Sequence, residues 1–399
     1  MFEKLESLPG DPILSIMAAF REDPSADKID LSAGVYKDPD GTTPIMTAVA
    51  EAEQKVLAEQ TTKAYVGIAG NVQFNAAIEA MLFGDDHPAR LAGRVRTLQS
   101  PGGSGGLRVA AEFFKRTNPA VRLWLSEPSW PNHEPLIGSA GIAIERYPYL
   151  DRDSGRVAFD AMLKGLEQAS RGDLLLLHGC CHNPSGADLS NSQWDALAEF
   201  CRDTGLVPFV DTAYQGFGDG LDEDAYGVRR LAATVPELIA VGSCSKNFGL
   251  YKERVGAVSV LGATPDDSAA AFSHMLRIVR RIYSMPPDHG AAIVANILDD
   301  PALKHAWLEE LADCRERMQR LRRDFAAALN AAMPGEDFDF LTGQKGMFSI
   351  LPLTPDEVAR LAKEHHIYMV ASGRINIAGL PESGLTRLAT AIAAVRRAG

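Results

Sequence analysis

Five short apolar runs, bounded by turn residues and separated in several places by helical patterns, constrain the fold of this chain most strongly. The runs are Val121–Leu125, Leu174–Leu177, Leu206–Val210, Leu238–Val241 and Val255–Val260. Each has the length and composition of a buried strand, although a run this short does not by itself exclude a helix. Because strands that alternate with helices usually pair in parallel, the sequence predicts an α/β fold with a largely parallel sheet.

The clearest helix in this region is predicted to begin at Ser190. Gln193 follows three residues later, which is the spacing of a capping box. Four apolar residues then recur at the spacing of one helical face: Trp194, Leu197, Ala198 and Cys201.

The pattern changes after Pro301. Apolar residues spaced alternately four and three apart predict one long helix over about 302–333. Two or three short strands are predicted to follow, at Met347–Leu351, Ile367–Val370 and Ile375–Ala378, with helices predicted from Pro355 and from Leu385. This part is expected to form a smaller α+β domain, since 399 residues exceed the size at which a single core keeps growing.

Composition argues against several classes of protein. The formal net charge is -12, whereas a nucleic-acid-binding protein needs a basic surface. No run of about 18 uncharged apolar residues predicts a membrane span. The five cysteines and the polar first residues lead us to expect reduced thiols and a cytoplasmic protein.

Polar residues follow four of the apolar runs at the point where each predicted strand ends. They include Trp130, Asn183, Asp211, Tyr214 and Lys246. Because ligands gather at the carboxyl ends of strands in α/β sheets, we expect these side chains to converge. An aromatic platform, a carboxylate and a lysine are the groups that a pyridoxal-phosphate site requires.

A glycine-rich segment, residues 101–106, is the candidate phosphate site. It is predicted to be a loop just before a helix that begins near Leu107, whose first N–H groups would bind an anion. Neither the GxGxxG nor the GxxxxGK[ST] spacing is present, so a dinucleotide or nucleotide site is not indicated.

At this point the chain resembles a known family. Ser243–Gly249, followed by Glu253–Gly256, is similar to the lysine segment of class I aminotransferases. Four further segments are similar to the aspartate and aromatic branch of that family: Ser129–His133, His178–Gly186, Asp211–Phe217 and Ala371–Arg374. The resemblance begins at Asp11–Leu14 and covers essentially the whole chain.

The resemblance implies a pyridoxal-phosphate-dependent transferase fold of type I. Residues 45–300 would form a large domain, in which helices cover both faces of a mostly parallel mixed sheet. Residues 1–44 and 301–399 would form the smaller α+β domain. The family is homodimeric, with active sites shared between two subunits, and acts on amino acids and 2-oxo acids.

The resemblance also implies a role for each strand-end residue. Lys246 would bind the cofactor as a Schiff base and, once substrate displaces it, move the proton from the substrate. Asp211 would keep the pyridine nitrogen protonated. Tyr214 and Asn183 would bind the phenolic oxygen of the cofactor, and Trp130 would stack on its ring.

Further residues would bind anions. Those implied for the cofactor's phosphate are Gly103, Ser104, Ser243, Ser245 and Arg254. Arg374 would bind the α-carboxylate of the substrate through its bidentate guanidinium, assisted by Gly34. Tyr65 would reach the phosphate in the neighbouring subunit, and Arg280 would bind a distal carboxylate there. Arg277 and Arg281 lie close enough in sequence to compete for that last assignment.

Three departures from the strict aspartate pattern bear on the substrate. Met285 and Ala64 replace asparagines that are usual in the family, and Ser104 replaces a threonine. Loss of groups that hold Arg280 in place should let an aromatic ring enter while a distal carboxylate is still accepted. The sequence therefore predicts an aminotransferase for aromatic and dicarboxylic substrates, with a strict aspartate aminotransferase as the alternative. A lyase or decarboxylase that uses the same cofactor is a weaker alternative.

Two other interpretations are set aside. His178, Cys180, Cys181 and His182 resemble a metal cluster, but successive residues of an extended chain point to opposite faces. No metal is therefore expected. A non-catalytic cofactor-binding regulator would append a basic DNA-binding module, for which the chain has no room.

Overall fold

The computed structural model describes residues 2–8 and 10–397. Its helices are α1 (Pro12–Glu22), α2 (Thr47–Glu59), α3 (Val72–Phe83), α4 (Pro88–Leu91), α5 (Gly102–Thr117), α6 (His133–Gly138), α7 (Phe159–Leu166), α8 (Asn191–Thr204), α9 (Tyr226–Thr234), α10 (Pro265–Ile282), α11 (His289–Asp299), α12 (Pro301–Ala332), α13 (Phe340–Gly343), α14 (Pro355–His365) and α15 (Leu385–Arg397). Its strands are β1 (Ile29–Asp30), β2 (Val95–Pro101), β3 (Arg122–Glu127), β4 (Ala143–Pro148), β5 (Leu150–Asp151), β6 (Arg156–Val157), β7 (Leu174–His178), β8 (Val207–Thr212), β9 (Leu238–Ser243), β10 (Val255–Leu261), β11 (Phe348–Ile350), β12 (Ile367–Tyr368) and β13 (Arg374–Asn376). No helix of these residues is long and apolar enough to cross a membrane.

The chain divides into two compact units. The larger consists of Pro44–Arg317 and Gln344–Gly346. The smaller comprises the described parts of Met1–Thr43, Met318–Gly343 and Met347–Gly399.

A seven-stranded sheet organises the larger unit, in the order β2-β10-β9-β8-β7-β3-β4. The five strands from β9 to β4 are parallel to one another, whereas β10 is antiparallel to both β9 and β2. Helix α5 packs on β2, β9 and β10, and α3 packs on β2. The predicted α/β fold is confirmed, and all five apolar runs are strands.

The sequence did not predict β2 and β4. Most residues of strand β2 are buried, and several of them are polar. Their polar groups are hydrogen-bonded inside the protein; the Thr97 hydroxyl, for example, lies 2.8 Å from that of Ser259. Strand β4 lies at the edge of the sheet and is largely exposed. Neither strand therefore has the continuous apolar run that marks a strand buried on both faces.

The predicted helix after Ser190 is confirmed as α8, with both hydrogen bonds of its capping box present. Its four buried residues are the predicted ones: Trp194, Leu197, Ala198 and Cys201. The long helix is confirmed as α12, which ends at Ala332.

The smaller unit contains two short sheets, in which β1 pairs in parallel with β12 and β11 pairs antiparallel with β13. The strand prediction for Ile375–Ala378 was wrong at its end. The strand is Arg374–Asn376, and Ile377–Gly379 form a 3₁₀ turn. The side chain of Asn376 accepts the N–H of Ala378 at 3.1 Å, which stabilises this turn instead of a longer strand.

Candidate active site

The carboxyl ends of four parallel strands bring the predicted side chains of the larger unit together. Asp211 lies one residue before the end of β8, and Trp130, Asn183 and Lys246 follow β3, β7 and β9. Asp211, Asn183 and Tyr214 are 8%, 5% and 5% exposed. The amide of Asn183 donates to the Tyr214 hydroxyl at 3.4 Å, while its Oδ1 is buried without a hydrogen-bond partner among the described residues. This unsatisfied amide oxygen and the adjacent phenol indicate a site for a polar ligand.

Lys246 lies at the centre of this cluster. Its Nζ is 5.0 Å from the centroid of the Tyr214 ring. Burial lowers the pKa of Lys246 to about 8, and the charge of Arg254 acts in the same direction, against the opposing effect of Asp211. A lysine with a lowered pKa is neutral more often at neutral pH than an ordinary lysine, which favours a nucleophilic or proton-carrying role.

The segment after Lys246 is held by helix α12. Trp307 is fully buried, and its indole N–H donates to the Asn247 carbonyl at 2.7 Å. Its ring stacks on Phe248 with the centroids 4.3 Å apart. The lysine therefore follows a rigid strand and precedes a rigidly packed segment.

Asp211 remains ionised because of a buried histidine. Burial acts to raise the pKa of Asp211, but the hydrogen bond from His133 and the positive charge of Lys246 outweigh it, and the pKa lies below its usual value. The Nε2 of His133 lies 2.9 Å from Asp211 Oδ2. An ionised carboxylate at this position can pair with a positively charged ring nitrogen.

A chain of hydrogen bonds extends behind Asp211. The hydroxyl of Ser129 lies 3.0 Å from His133 Nδ1 and 3.2 Å from His178 Nε2. Burial lowers the pKa of His178 to about 3, so that this ring is neutral. Sequence reasoning assigned no role to His133 or His178, because Asp211 lies 78 residues beyond His133 and only the folded sheet joins them.

The glycine-rich segment corrects one prediction. Residues 102–106 are not a loop before a helix, because α5 already begins at Gly102. Backbone and neighbours explain why glycine is needed there: Gly102 has a φ of 69°, which other residues rarely adopt, and a Cβ at Gly106 would lie 2.8 Å from Val241 Cγ1. The helix can therefore start against β9 and β10 only because these residues lack side chains.

Anion-binding groups surround the start of α5. The Ser243 hydroxyl lies 3.2 Å from that of Ser245, to which Arg254 Nη1 donates at 3.4 Å. A Cβ on Gly103 would lie 3.2 Å from the Cβ of Ser243. Ser104 occupies the first turn of α5. Hydroxyls, a guanidinium and the N-terminus of a 16-residue helix form a set suited to a phosphate group.

Arg374 and Gly34 lie near each other in the smaller unit. The Arg374 guanidinium lies over the Phe348 ring, 4.5 Å from its centroid, and donates to the Ser32 carbonyl at 2.8 Å. A Cβ on Gly34 would lie 3.3 Å from the end of the same ring. Arg374 is only 4% exposed, so its guanidinium is held in one orientation.

Tyr65 and Arg280 are exposed, unlike the buried Asp211, Asn183 and Tyr214. The Tyr65 side chain is 93% exposed. Arg280 is exposed at the C-terminal end of α10, as are Arg277 and Arg281. Within the described chain, neither Tyr65 nor Arg280 forms a hydrogen bond or ion pair with the Lys246 cluster.

Cys180, Cys181 and Asp224 have potential ligand atoms within 4.8 Å of one another. The Asp224 carboxylate accepts the N–H groups of Gly216, Gly218 and Asp219 at 2.8–2.9 Å. These hydrogen bonds account for the buried carboxylate of Asp224. Of the two histidines that flank the cysteines, His178 belongs to the hydrogen-bond chain behind Asp211, and His182 lies 3.2 Å from the Ser126 hydroxyl and 2.8 Å from the Ser185 hydroxyl.

Comparison with known proteins gives a consistent result. A family model described as aminotransferase class I and II matches residues 26–392. The aspartate aminotransferase of Escherichia coli is 46% identical over 395 residues, which are 99% of this chain and 100% of that one. The aromatic-amino-acid aminotransferase of Pseudomonas aeruginosa is 46% identical over 394 residues, 99% and 98% of the two chains. A crystal structure of the Burkholderia pseudomallei aromatic-amino-acid aminotransferase, covalently bound to pyridoxal phosphate, superimposes with a TM-score of 0.96 at 41% identity, covering 99% of each chain.

Proposed function

Because this chain belongs to the family of class I and II aminotransferases, we propose that it transfers the amino group of aromatic and dicarboxylic amino acids to 2-oxoglutarate. Phenylalanine, tyrosine and aspartate are the expected donors. The observation that carries the proposal is the buried Lys246, with a lowered pKa, over Tyr214 and near the ionised Asp211. A lysine nucleophile beside a permanent anion and an anion-binding helix start is the arrangement that pyridoxal phosphate requires.

Each group of residues would have a separate task in binding the cofactor or the substrate. Ser243, Ser245 and Arg254, with the first turn of α5, would bind the phosphate group. When bound, pyridoxal phosphate withdraws electrons from the Cα of the amino acid. Asp211 would hold a proton on the ring nitrogen, and Lys246 Nζ would bind the cofactor covalently and later carry the Cα proton. Arg374 would bind the α-carboxylate, and Trp130 would support the cofactor ring.

The active species is proposed to be a cytoplasmic homodimer in which Tyr65 and Arg280 serve the neighbouring subunit. Exposed apolar side chains on the larger unit support an interface: Ile45, Leu57, Tyr65 and Val72 are 72–93% exposed. Large apolar groups at such exposure usually mark a surface that another chain covers. The free cysteines support a reducing compartment. The division into domains at residues 45–300, and at 1–44 with 301–399, is part of the same proposal.

The second candidate is a strict aspartate aminotransferase. The Escherichia coli aspartate aminotransferase is 46% identical to this chain, and so is the aromatic enzyme of Pseudomonas aeruginosa. Overall identity therefore does not decide the substrate. The apolar Met285 near the end of α10 supports acceptance of an aromatic ring.

Single-turnover absorbance measurements with a panel of amino acids test the proposal. Aspartate, glutamate, phenylalanine and tyrosine should each convert the lysine-linked cofactor into its amine form, and 2-oxoglutarate should reverse the change. An unchanged spectrum with phenylalanine and tyrosine would favour the strict aspartate enzyme. Release of free ammonia or carbon dioxide without conversion of 2-oxoglutarate would instead identify a lyase or decarboxylase.

A further inference from the structure

The turn that carries Asn183 is held in an unusual backbone conformation. It lies between β7 and α8, and Cys181 adopts a φ of 51°, in the left-handed region that non-glycine residues rarely occupy. Gly186 donates its N–H to the His182 carbonyl at 2.7 Å, which closes the turn around Asn183. Such a conformation persists only where the surroundings supply compensating contacts.

Asp188 supplies the contacts that hold this turn. Its Oδ2 accepts the N–H of Cys181 at 2.7 Å, and its Oδ1 accepts the N–H of His182 at 2.8 Å. One carboxylate therefore binds the two successive backbone N–H groups that immediately precede Asn183. Among side chains of this size, only a carboxylate offers two acceptor oxygens, since asparagine would turn a donor towards one of the N–H groups.

The turn has little room to shift in response. A Cβ on Gly346 would lie 2.3 Å from that of Cys181, and the N–H of Lys345 donates to the Gly186 carbonyl at 2.7 Å. Burial raises the pKa of Asp188 to about 6, against the opposing hydrogen bonds of the turn and the charge of Lys345, while Asp224 adds to the increase. Placing an ionisable group here is unfavourable, which argues that its two oxygens have a specific task.

We propose that Asp188 is a positioning residue that orients the Asn183 side chain towards the phenolic oxygen of the bound cofactor. The proposal rests on the proposed function, because it assigns Asp188 a part in binding pyridoxal phosphate. A donor at that oxygen weakens the oxygen's hold on the proton of the Schiff base. Asp188 therefore acts through Asn183 to lower the pH at which the linkage between Lys246 and the cofactor loses its proton.

The test is a pH titration of the absorbance of the lysine-linked cofactor in holoenzyme without substrate. Asp188→Asn should raise the midpoint by about 0.5–1 pH unit, which corresponds to the loss of one neutral hydrogen bond. Removal of a nearby negative charge acts in the opposite direction, because the charge favours the protonated linkage. The sign of the shift therefore separates positioning from simple electrostatics, and a downward or absent shift would overturn the proposal.

A double-mutant cycle identifies the intermediary. In an Asn183→Ala background, Asp188→Asn should produce no further increase, whereas an equal increase with and without Asn183 would show that Asp188 does not act through it. Asp173→Asn is the matched control: the Asp173 carboxylate also accepts a backbone N–H, from Ser170 at 2.9 Å, but it precedes β7 at the opposite end of the strand. Its midpoint should equal that of wild type.

Asp188→Glu provides a second route if the asparagine variant does not fold. It keeps the charge and both oxygens but lengthens the side chain by one methylene, so a raised midpoint would support positioning and an unchanged one would contradict it. Failure of the proposed function is separately visible, since the wild-type protein would then show no lysine-linked absorbance at any pH.

Discussion

The cluster around Lys246 and the surface that carries Tyr65 and Arg280 belong to the same unit. Residues of one chain surround and orient the side chains of the cluster, whereas the side chains of the surface lack such contacts. In the first, Asp211, Tyr214 and Asn183 are buried, and contacts of the same chain fix their orientations. In the second, Tyr65 is 93% exposed and Arg280 has no described partner.

The difference separates the chemistry that a single chain can prepare from the chemistry that requires a second one. Electrostatic stabilisation is effective where the groups are fixed and water is excluded, which describes the Lys246 cluster. An exposed tyrosine or arginine has neither property until another surface covers it. We therefore expect substitutions in the cluster to affect every substrate, and substitutions at the exposed surface to affect some substrates and to depend on the partner chain.

The largest effect is expected at Lys246. Lys246→Ala removes both the covalent attachment of the cofactor and the proton carrier, so turnover should fall by orders of magnitude for all substrates. The pH-dependent absorbance of the linked cofactor should also disappear. Lys252→Ala, an exposed lysine in the same segment, is the control and should behave as wild type. A borohydride-reducible link to the cofactor that persists in Lys246→Ala would identify another lysine.

Asp211→Ala should have the next largest effect. Without this carboxylate the ring nitrogen of the cofactor loses its proton at neutral pH, and removal of the Cα proton should slow severely. Cofactor binding should survive in part, since Ser243, Ser245 and Arg254 are unchanged. Single-turnover rates with aspartate and with phenylalanine measure the effect, and undiminished rates would refute the assignment of Asp211.

Arg280→Ala should impair the reaction of dicarboxylic substrates much more than that of aromatic ones. A charge-assisted bidentate hydrogen bond is lost, so kcat/KM for aspartate and glutamate should fall by about ten- to a hundredfold. Phenylalanine and tyrosine do not present a distal carboxylate, so kcat/KM for them should fall far less.

Arg277→Ala and Arg281→Ala, on the same helix, are matched controls. If one of them shows the selective loss instead, that arginine binds the distal carboxylate. Arg374→Ala should impair all substrates, since every one presents an α-carboxylate.

Mixed dimers test whether the exposed surface serves a second chain. Lys246→Ala and Arg280→Ala chains should each be poor with aspartate, but their heterodimer should regain activity in one of its two sites. In that site, Lys246 comes from one chain and Arg280 from the other. If verified heterodimers show no recovery, Arg280 acts within its own chain and the exposed surface does not serve a second one.

The sequence predicted the parts of the molecule in which burial follows apolar pattern. The five strands and α8 were found because their residues are continuously or periodically apolar. Strand β2 was missed because its buried Thr97 and Gln99 satisfy their polar groups through distant partners. The start of α5 was misplaced because glycines, which disfavour helices, are required there by the positive φ of Gly102 and by the close approach of Val241 to Gly106.

In the candidate site, too, some residues could be predicted from the sequence and others could not. The strand-end residues could be predicted because parallel strands bring their carboxyl ends to one edge of the sheet. His133 could not be given a role, since its role depends on Asp211, which approaches it only in the folded chain. The cofactor and substrate roles of the individual residues, including those of Tyr65 and Arg280, stay predictions.

The smallest expected effect is at Met285 and concerns the balance between substrates. Met285 follows Ser284, whose φ is 66°, and its N–H donates to the Tyr283 carbonyl at 2.7 Å. This tight turn fixes where the side chain at position 285 begins, just beyond the helix end that carries Arg280. Met285→Asn would add a polar group able to hold Arg280 in place, so kcat/KM should shift a few-fold towards aspartate and away from phenylalanine. Met285→Leu keeps the apolar surface and should leave the ratio unchanged. An equal shift in both variants would mean that side-chain shape, and not the anchoring of Arg280, sets the preference.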